Sequence, residues 1–258
     1  MPRRSRTRKK PSAILGSPFL TRVDLWPDRI QSGVHPFTLP LLSPDFELTF
    51  STPVTFLVGE NGSGKSTLLE ALAWALGFGA QGGNRDTSYV EGADGHVLGS
   101  ALHLYWRQKV TDGFFLRAET FFNFASYLEE VNSTFLAYGG KSLHRQSHGE
   151  AFLSLFKHRF EDGVYLLDEP EAALSPQRQL VFLRILQQLT ASKIAQFVIA
   201  THSPMLLTFP GATILTLEDG AIRSVSYQET EHYRLTRDFL NAPDRFYQHL
   251  FATDDPVN

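Results

Sequence analysis

Hydrophobic positions along the chain fall into short, nearly continuous runs separated by longer amphipathic stretches. Val54–Val58 (VTFLV), Val164–Leu167 (VYLL), Ile194–Ala200 and Ala212–Leu217 are apolar throughout or nearly so, the pattern of strands buried on both faces. Between and around them, Thr67–Leu76, Glu150–Phe160 and Gln177–Leu189 carry apolar residues at helical spacing. Strands alternating with helices predict an α/β fold with a mainly parallel sheet flanked by helices. Upstream, Phe19–Leu25, Phe37–Leu42 and Phe46–Phe50 alternate as strands, the last two separated by the turn Ser43-Pro44-Asp45, and predict a small antiparallel element. Ala101–Val110 and Phe114–Glu119 read as two further strands. Gly77–Gly99, rich in Gly, Asn and Asp, reads as a long loop. Thr120–Leu136 reads as a helix with an aromatic stripe, better suited to a core than to a binding surface, and Glu229–Phe251 as a polar terminal helix.

Composition narrows the class. The chain has 258 residues, enough to bury a substantial core, with 42% hydrophobic and 20% charged residues and an unusual 21 Phe. No run approaches the roughly 18 apolar residues needed to span a bilayer, so no membrane insertion is expected. There is no cysteine, which excludes a disulfide framework and thiolate metal sites and makes a reducing, cytoplasmic location the simplest expectation. No export signal is read in the N-terminal region. The net charge of −3 conceals an asymmetry: residues 1–10 (MPRRSRTRKK) hold six of the 24 basic residues and no acid, leaving 18 basic against 27 acidic residues elsewhere, a balance of −9. The arm reads either as a solvated tail, residues 1–17, or as a contact for nucleic acid or anionic lipid.

Gly59-Glu60-Asn61-Gly62-Ser63-Gly64-Lys65-Ser66 fits the phosphate-loop pattern GxxxxGK[ST] at every defined position, between an apolar strand and a helix beginning near Thr67. Glycines allow the backbone to wrap phosphate oxygens with N–H groups, and the following helix N-terminus favours an anion. Lys65 is placed to reach the β and γ phosphates, and the Ser66 hydroxyl to hold Mg²⁺. About 100 residues later, Val164–Leu167 ends in Asp168-Glu169. An apolar strand ending in two acids, following a phosphate loop, is the Walker B arrangement: Asp168 to orient Mg²⁺ or its waters, Glu169 to polarise an attacking water.

At this point the chain resembles the ABC class of P-loop ATPases, the group that includes transporter nucleotide-binding domains and the SMC, Rad50 and RecF-like proteins. Glu171-Ala172-Ala173-Leu174-Ser175 is similar to the family's D-loop, with Ser175 where Asp is common. His202, in Ala200-Thr201-His202-Ser203-Pro204, looks like its switch histidine, which contacts the γ-phosphate. Gln146-Ser147-His148-Gly149-Glu150 resembles the LSGG[QE] signature at Ser147, Gly149 and Glu150, with Gln146 and His148 replacing the first Leu and first Gly. For the Q-loop, Gln81, Gln108 and Glu119 all lie in the right interval without a convincing match. Phe37 and its aromatic neighbours are alternatives for the residue that stacks on adenine.

The resemblance implies an ABC-type fold with a reduced helical subdomain: a tail at 1–17 and one ATPase domain over 18–258, with an insert at about 77–147. It implies ATP as substrate with Mg²⁺, although the residues alone do not distinguish ATP from GTP. It also implies a homodimer, or a pairing with a related subunit, in which Ser147, Gly149 and Glu150 of one subunit complete the nucleotide site of the other. The roughly 80 residues between Lys65 and Ser147 are too few for the long coiled-coil arms of SMC and Rad50 proteins. A stand-alone ATPase acting on DNA or a protein partner is the leading expectation, in DNA maintenance or defence. A transporter's ATP-binding subunit and a nucleotide-gated module with negligible turnover are the alternatives.

Overall fold

A computed structural model describes residues 16–79, 93–119, 148–159 and 163–251. Among the described residues nine strands form two sheets: β1 Leu20–Leu25, β2 Glu47–Thr49, β3 Val54–Val58, β4 Leu102–Trp106, β5 Gly113–Arg117, β6 Gly163–Asp168, β7 Ala195–Ala200, β8 Thr213–Glu218 and β9 Ala221–Val225. The helices among the described residues are α1 Lys65–Leu76, α2 Ala93–Ala101, α3 His148–Arg159, α4 Pro176–Ala191, α5 Pro204–Leu207, α6 Glu231–Asn241 and α7 Pro243–Leu250, with short 3₁₀ turns between some of them.

The large sheet has the order β5-β6-β7-β3-β8-β9. Its first five strands are parallel, and β9 pairs antiparallel with β8 at the edge. Strands β3, β6 and β7 are buried along their whole length, as their largely apolar runs require. Successive residues still serve opposite faces. Val54, Phe56 and Val58 join Tyr165, Phe197, Phe152, Phe156 and Phe182 in one core, beneath α3 and α4. Leu57, Leu166 and Val198 join Leu68, Leu69 and Leu72 of α1 in the other, which also receives the apolar face of the small sheet. The rings of Phe152, Phe156 and Phe182 pack at tilted or edge-on angles, so several of the many phenylalanines close one helical layer. Helix α1 ends in a Schellman motif, with Gly77 left-handed at φ 81°, its N–H bonded to the Trp74 carbonyl, and the Phe78 N–H bonded to the Ala73 carbonyl.

The structure corrects four sequence expectations. Phe37–Leu42 forms no strand: Leu39 N–H donates to Pro36 O and Leu42 N–H to Leu39 O, a pair of tight turns in which Pro40 has no N–H to offer a ladder. Phe37, Leu41 and Leu42 are buried all the same, so their apolar pattern reports burial and not strand geometry. The third strand of the antiparallel sheet is instead β4, from beyond the phosphate loop, giving the order β2-β1-β4. The second correction is helix α2 within the supposed loop 77–99. Its glycines permit close packing on α1, since a Cβ at Gly99 would lie 2.8 Å from both the Ala71 carbonyl oxygen and the Trp74 ring. Third, Ala101 closes that helix, and β4 begins at Leu102. Fourth, the terminal helix is two, α6 and α7, parted at Ala242 before Pro243. The expected helix over 120–136 and the tail at 1–15 lie outside the described residues.

Candidate nucleotide site

Strand register assembles the site. Arg117, Asp168, Ala200 and Leu57 form one row across β5, β6, β7 and β3. Four adjacent parallel strands thus end level, and the loops that follow them open on one crevice at their carboxyl ends, where open α/β sheets bind ligands.

From β3 comes the phosphate loop. Gly59, Gly62 and Gly64 have φ of 152°, 84° and 95°, a left-handed path that residues with a Cβ resist. Lys65, only 5% exposed, donates from Nζ to the carbonyls of Gly59 (2.7 Å) and Glu60 (2.9 Å), which holds the loop wrapped around its ammonium. Burial pushes the Lys65 pKa down, opposed by Glu169, Asp168 and Glu171. Ser63 Oγ is buried without a hydrogen-bond partner, an orphan that a phosphate oxygen would satisfy. Glu60, Asn61, Gly62 and Ser63 line a cleft of about 480 Å³ whose other wall includes Pro40, Leu41, Glu218 and Glu231. Thr67 lies in the first turn of α1. Phe37, by contrast, is buried in the core.

From β6 come Asp168 and Glu169. Asp168 is 3% exposed and accepts a hydrogen bond from Ser66 Oγ at 3.2 Å. Its other oxygen pairs with Arg117 Nε at 3.2 Å, and Arg117 in turn reaches Glu70 at 2.6 Å. Burial raises the Asp168 pKa, opposed by Arg117 and the Ser66 hydroxyl. Two hard oxygen donors in contact, one of them a carboxylate, fit Mg²⁺. Glu169 has left-handed backbone, φ 49° and ψ 53°, a strained conformation for a residue with a side chain, held by its N–H on the Ala200 carbonyl at 3.0 Å.

From β7 comes His202. Its backbone N–H donates to Glu171 Oε1 at 2.6 Å, while Thr201 Oγ1 donates to Glu171 Oε2 at 2.7 Å, so one carboxylate fixes the turn that carries the histidine. Burial raises the Glu171 pKa, and these two hydrogen bonds oppose it. His202 Nε2 faces Glu169 Oε1 at 3.5 Å, and its Nδ1 meets Nε2 of His232, on α6, at 2.6 Å.

The structure therefore brings together Lys65, Ser66, Asp168, Glu169 and His202. Of the signature residues, Ser147 lies outside the described residues. Gly149 and Glu150 sit in the first turn of α3. A Cβ at Gly149 would lie 2.6 Å from Arg178 Cδ and 3.1 Å from the Ala173 carbonyl oxygen, so a larger residue here would require the Arg178 side chain to move and the D-loop-like turn to give slightly. Glu150 pairs with Arg178 at 3.1 Å. Gln81 is not described. Gln108 and Glu119 lie beyond the ends of β4 and β5, and it is Arg117 that reaches Asp168. Sequence reasoning missed Arg117, Glu171 and His232. A charged residue closing the apolar strand β5 was a usable sign of the first, and the extra acid in Asp168-Glu169-Pro170-Glu171 of the second. Nothing near His232 announced it.

Two family profiles match the chain: one described as an AAA domain over residues 33–130, the other as an AAA ATPase domain over residues 142–207. No curated protein matches it. Among solved structures, it is similar to a protein described as a metal-chelate type ABC transporter in an inward-facing conformation (18% identity, 73% of this chain and 78% of that one, TM-score 0.44). It is likewise similar to the SMC head domain from Thermotoga maritima (18%, 70% and 92%, 0.41). A third is cbiO1 from Clostridium perfringens, part of the ABC transporter complex cbiONQ (17%, 80% and 90%, 0.43). The phosphate loop lies inside the first profile match, and Asp168, Glu169 and His202 lie inside the second, so the two matches between them take in both halves of the candidate site.

Proposed function

We propose that this chain binds ATP with Mg²⁺ at the strand-end crevice, hydrolyses it, and works as a head-to-tail dimer closed by nucleotide. The observation that carries the reading is the convergence of Lys65, the Ser66–Asp168 contact and the Glu169–His202 pair at the level ends of β3, β6 and β7. The phosphate loop's N–H groups receive the phosphates, and Lys65 exchanges its two carbonyl contacts for β and γ oxygens. Ser66 Oγ and the Asp168 carboxylate would hold Mg²⁺, which would supply neutralisation of phosphate charge when bound. Glu169 orients a water toward the γ-phosphorus and accepts its proton, and the imidazole of His202 donates from Nε2 to a γ-phosphate oxygen. With burial and Lys65 holding its pKa low, His202 does this as a neutral donor.

The placement of Gly149 and Glu150 against Ala173 and Arg178 of their own subunit supports this reading, in which the signature turn facing the γ-phosphate, Ser147 with it, is supplied by a second copy. The unit is one ATPase domain over residues 18–258, with its helical insert between 77 and 147 outside the strands β4 and β5. A stand-alone ATPase acting on DNA or a protein is favoured by the basic arm at residues 1–10. Among the described residues no helix is long and apolar enough to cross a membrane.

The test is the light-scattering mass of Glu169→Gln with and without Mg-ATP, with bound nucleotide measured in parallel. This variant is expected to bind ATP, to lose turnover and to double in mass only with nucleotide. Full turnover would remove Glu169 from its role, and a monomer carrying bound ATP would refute the homodimer.

A further inference from the structure

His232 stands outside every motif of the chain, yet it touches the histidine of the proposed γ-phosphate contact. It is the second residue of α6, thirty positions after His202. Its Nε2 lies 2.6 Å from His202 Nδ1, the ring centroids 4.7 Å apart and the planes at 62°, so the ring edges meet in a hydrogen bond instead of stacking. Two neutral imidazoles at that distance share one proton: either His202 donates from Nδ1 or His232 donates from Nε2. The far side of His202 decides between them. Its Nε2 is buried, has no hydrogen-bond partner, and faces the Glu169 carboxylate at 3.5 Å. A carboxylate accepts and does not donate, and the same holds for a phosphate oxygen in the proposed complex. Both favour a hydrogen on Nε2, which leaves Nδ1 as acceptor.

We propose that His232 is a positioning residue that donates its Nε2–H to His202 Nδ1, fixing the ring and the tautomer in which His202 presents Nε2–H toward Glu169 and the γ-phosphate. The relation is that of a second carboxylate or carbonyl behind a ligating histidine, with the polarity reversed: the rear group here donates, and the front nitrogen is thereby kept a donor. The backbone of His202 is already pinned by Glu171, so ring rotation about the side-chain bonds is the freedom that remains, and the His232 contact removes it. Helix α6 is held for the purpose at its start: Ser226 and Glu229 close a capping box on the preceding 3₁₀ turn, and Thr230 Oγ1 donates to the Tyr227 carbonyl. Burial first, and Lys65 second, keep His232 neutral, as the shared hydrogen requires.

The catalytic consequence rests on the proposed role of His202 in hydrolysis, whereas the tautomer does not. The two are therefore read separately on the full-length protein. In nucleotide-free protein with ¹⁵N-labelled histidine, long-range ¹H–¹⁵N correlation reports which ring nitrogen of His202 carries hydrogen, the signals being assigned with His202→Gln. Nε2–H alone is expected in the wild type and in His232→Gln, whose amide retains an N–H donor, whereas in His232→Phe, with Glu169 the remaining bias, a detectable Nδ1–H population should appear beside it. Steady-state turnover should fall about tenfold in His232→Phe with KM for ATP within about twofold, and should recover in His232→Gln. Wild-type His202 carrying hydrogen on Nδ1, or an unchanged tautomer in His232→Phe, overturns the proposal. Equal loss in the Gln and Phe variants overturns it too, since packing alone would explain it. A shifted tautomer with undiminished turnover upholds the positioning by His232 and refutes instead the role of His202 in hydrolysis.

Discussion

Gln196 is the one polar side chain within the apolar strand β7 and is fully buried. Its side-chain carbonyl accepts from Phe19 N–H at 2.8 Å and Leu20 N–H at 2.9 Å, and its amide donates to the Leu20 carbonyl at 2.8 Å. Because Phe19 and Leu20 open the strand at the centre of the small sheet, these three bonds fasten that sheet to the large one. Replacing Gln196 with Leu keeps most of the volume and removes all three. At roughly 1 kcal/mol net for each buried bond, the loss is about 3 kcal/mol, approaching about 5 kcal/mol where the stranded backbone groups find no other partner. For a chain of this size the lower figure corresponds to a fall of about 6 °C in Tm. Urea unfolding followed by far-ultraviolet circular dichroism measures it. Gln196 lies four residues before Ala200, about 13 Å along the strand from the end that carries the site, so kcat of the folded variant at low temperature should match wild type. A loss below about 1 kcal/mol would refute the view that this amide joins the sheets.

The remaining predictions concern charge and the site. Lys65→Ala should abolish nucleotide binding, measured by equilibrium dialysis against Mg-ATP; binding within about threefold of wild type would remove the lysine from its assigned place. Burial and Lys65 hold His202 and His232 below their ordinary value near 6.5, so the unfolded chain takes up protons first. The stability they confer is complete above about pH 6.5 and is lost as pH falls through their folded values. Asp168 and Glu171, raised by burial, act with the opposite sign, their contribution being present at low pH and lost as pH rises. The urea midpoint of wild type should thus drop more between pH 7.5 and 5.5 than that of a His202→Gln, His232→Gln double variant, and equal drops would contradict the shifts. Finally, if the basic arm binds nucleic acid, affinity for duplex DNA should fall steeply with salt, and removing residues 1–10 should flatten that dependence; an unchanged slope would make the arm a bystander.

Much of the site was readable one residue at a time. The phosphate loop and the acids closing β6 have spacings that their chemistry explains, and the largely apolar runs of β3, β6 and β7 announced strands buried on both faces. The misreadings share a cause. Phe37–Leu42 alternates like a strand because it is buried like one, but Pro36 and Pro40 allow only turns. Residues 93–99 look like a loop because glycine is a poor helix former in isolation, whereas against α1 the absence of a Cβ at Gly99 is what permits contact.

Local sequence, then, determined what is local: the loop that wraps a phosphate, the helix that follows it, and the order of strands and helices that selects an α/β class. Tertiary structure alone decided which strand ends stand level, that Arg117 meets Asp168, that Glu171 pins the turn bearing His202, and that His232 arrives behind that ring from thirty residues away. The physical reason is that a phosphate loop draws on consecutive backbone groups, whereas these contacts join side chains from separate elements. Their geometry is set by the register of parallel strands and the packing of helices on them, which no short window of sequence contains.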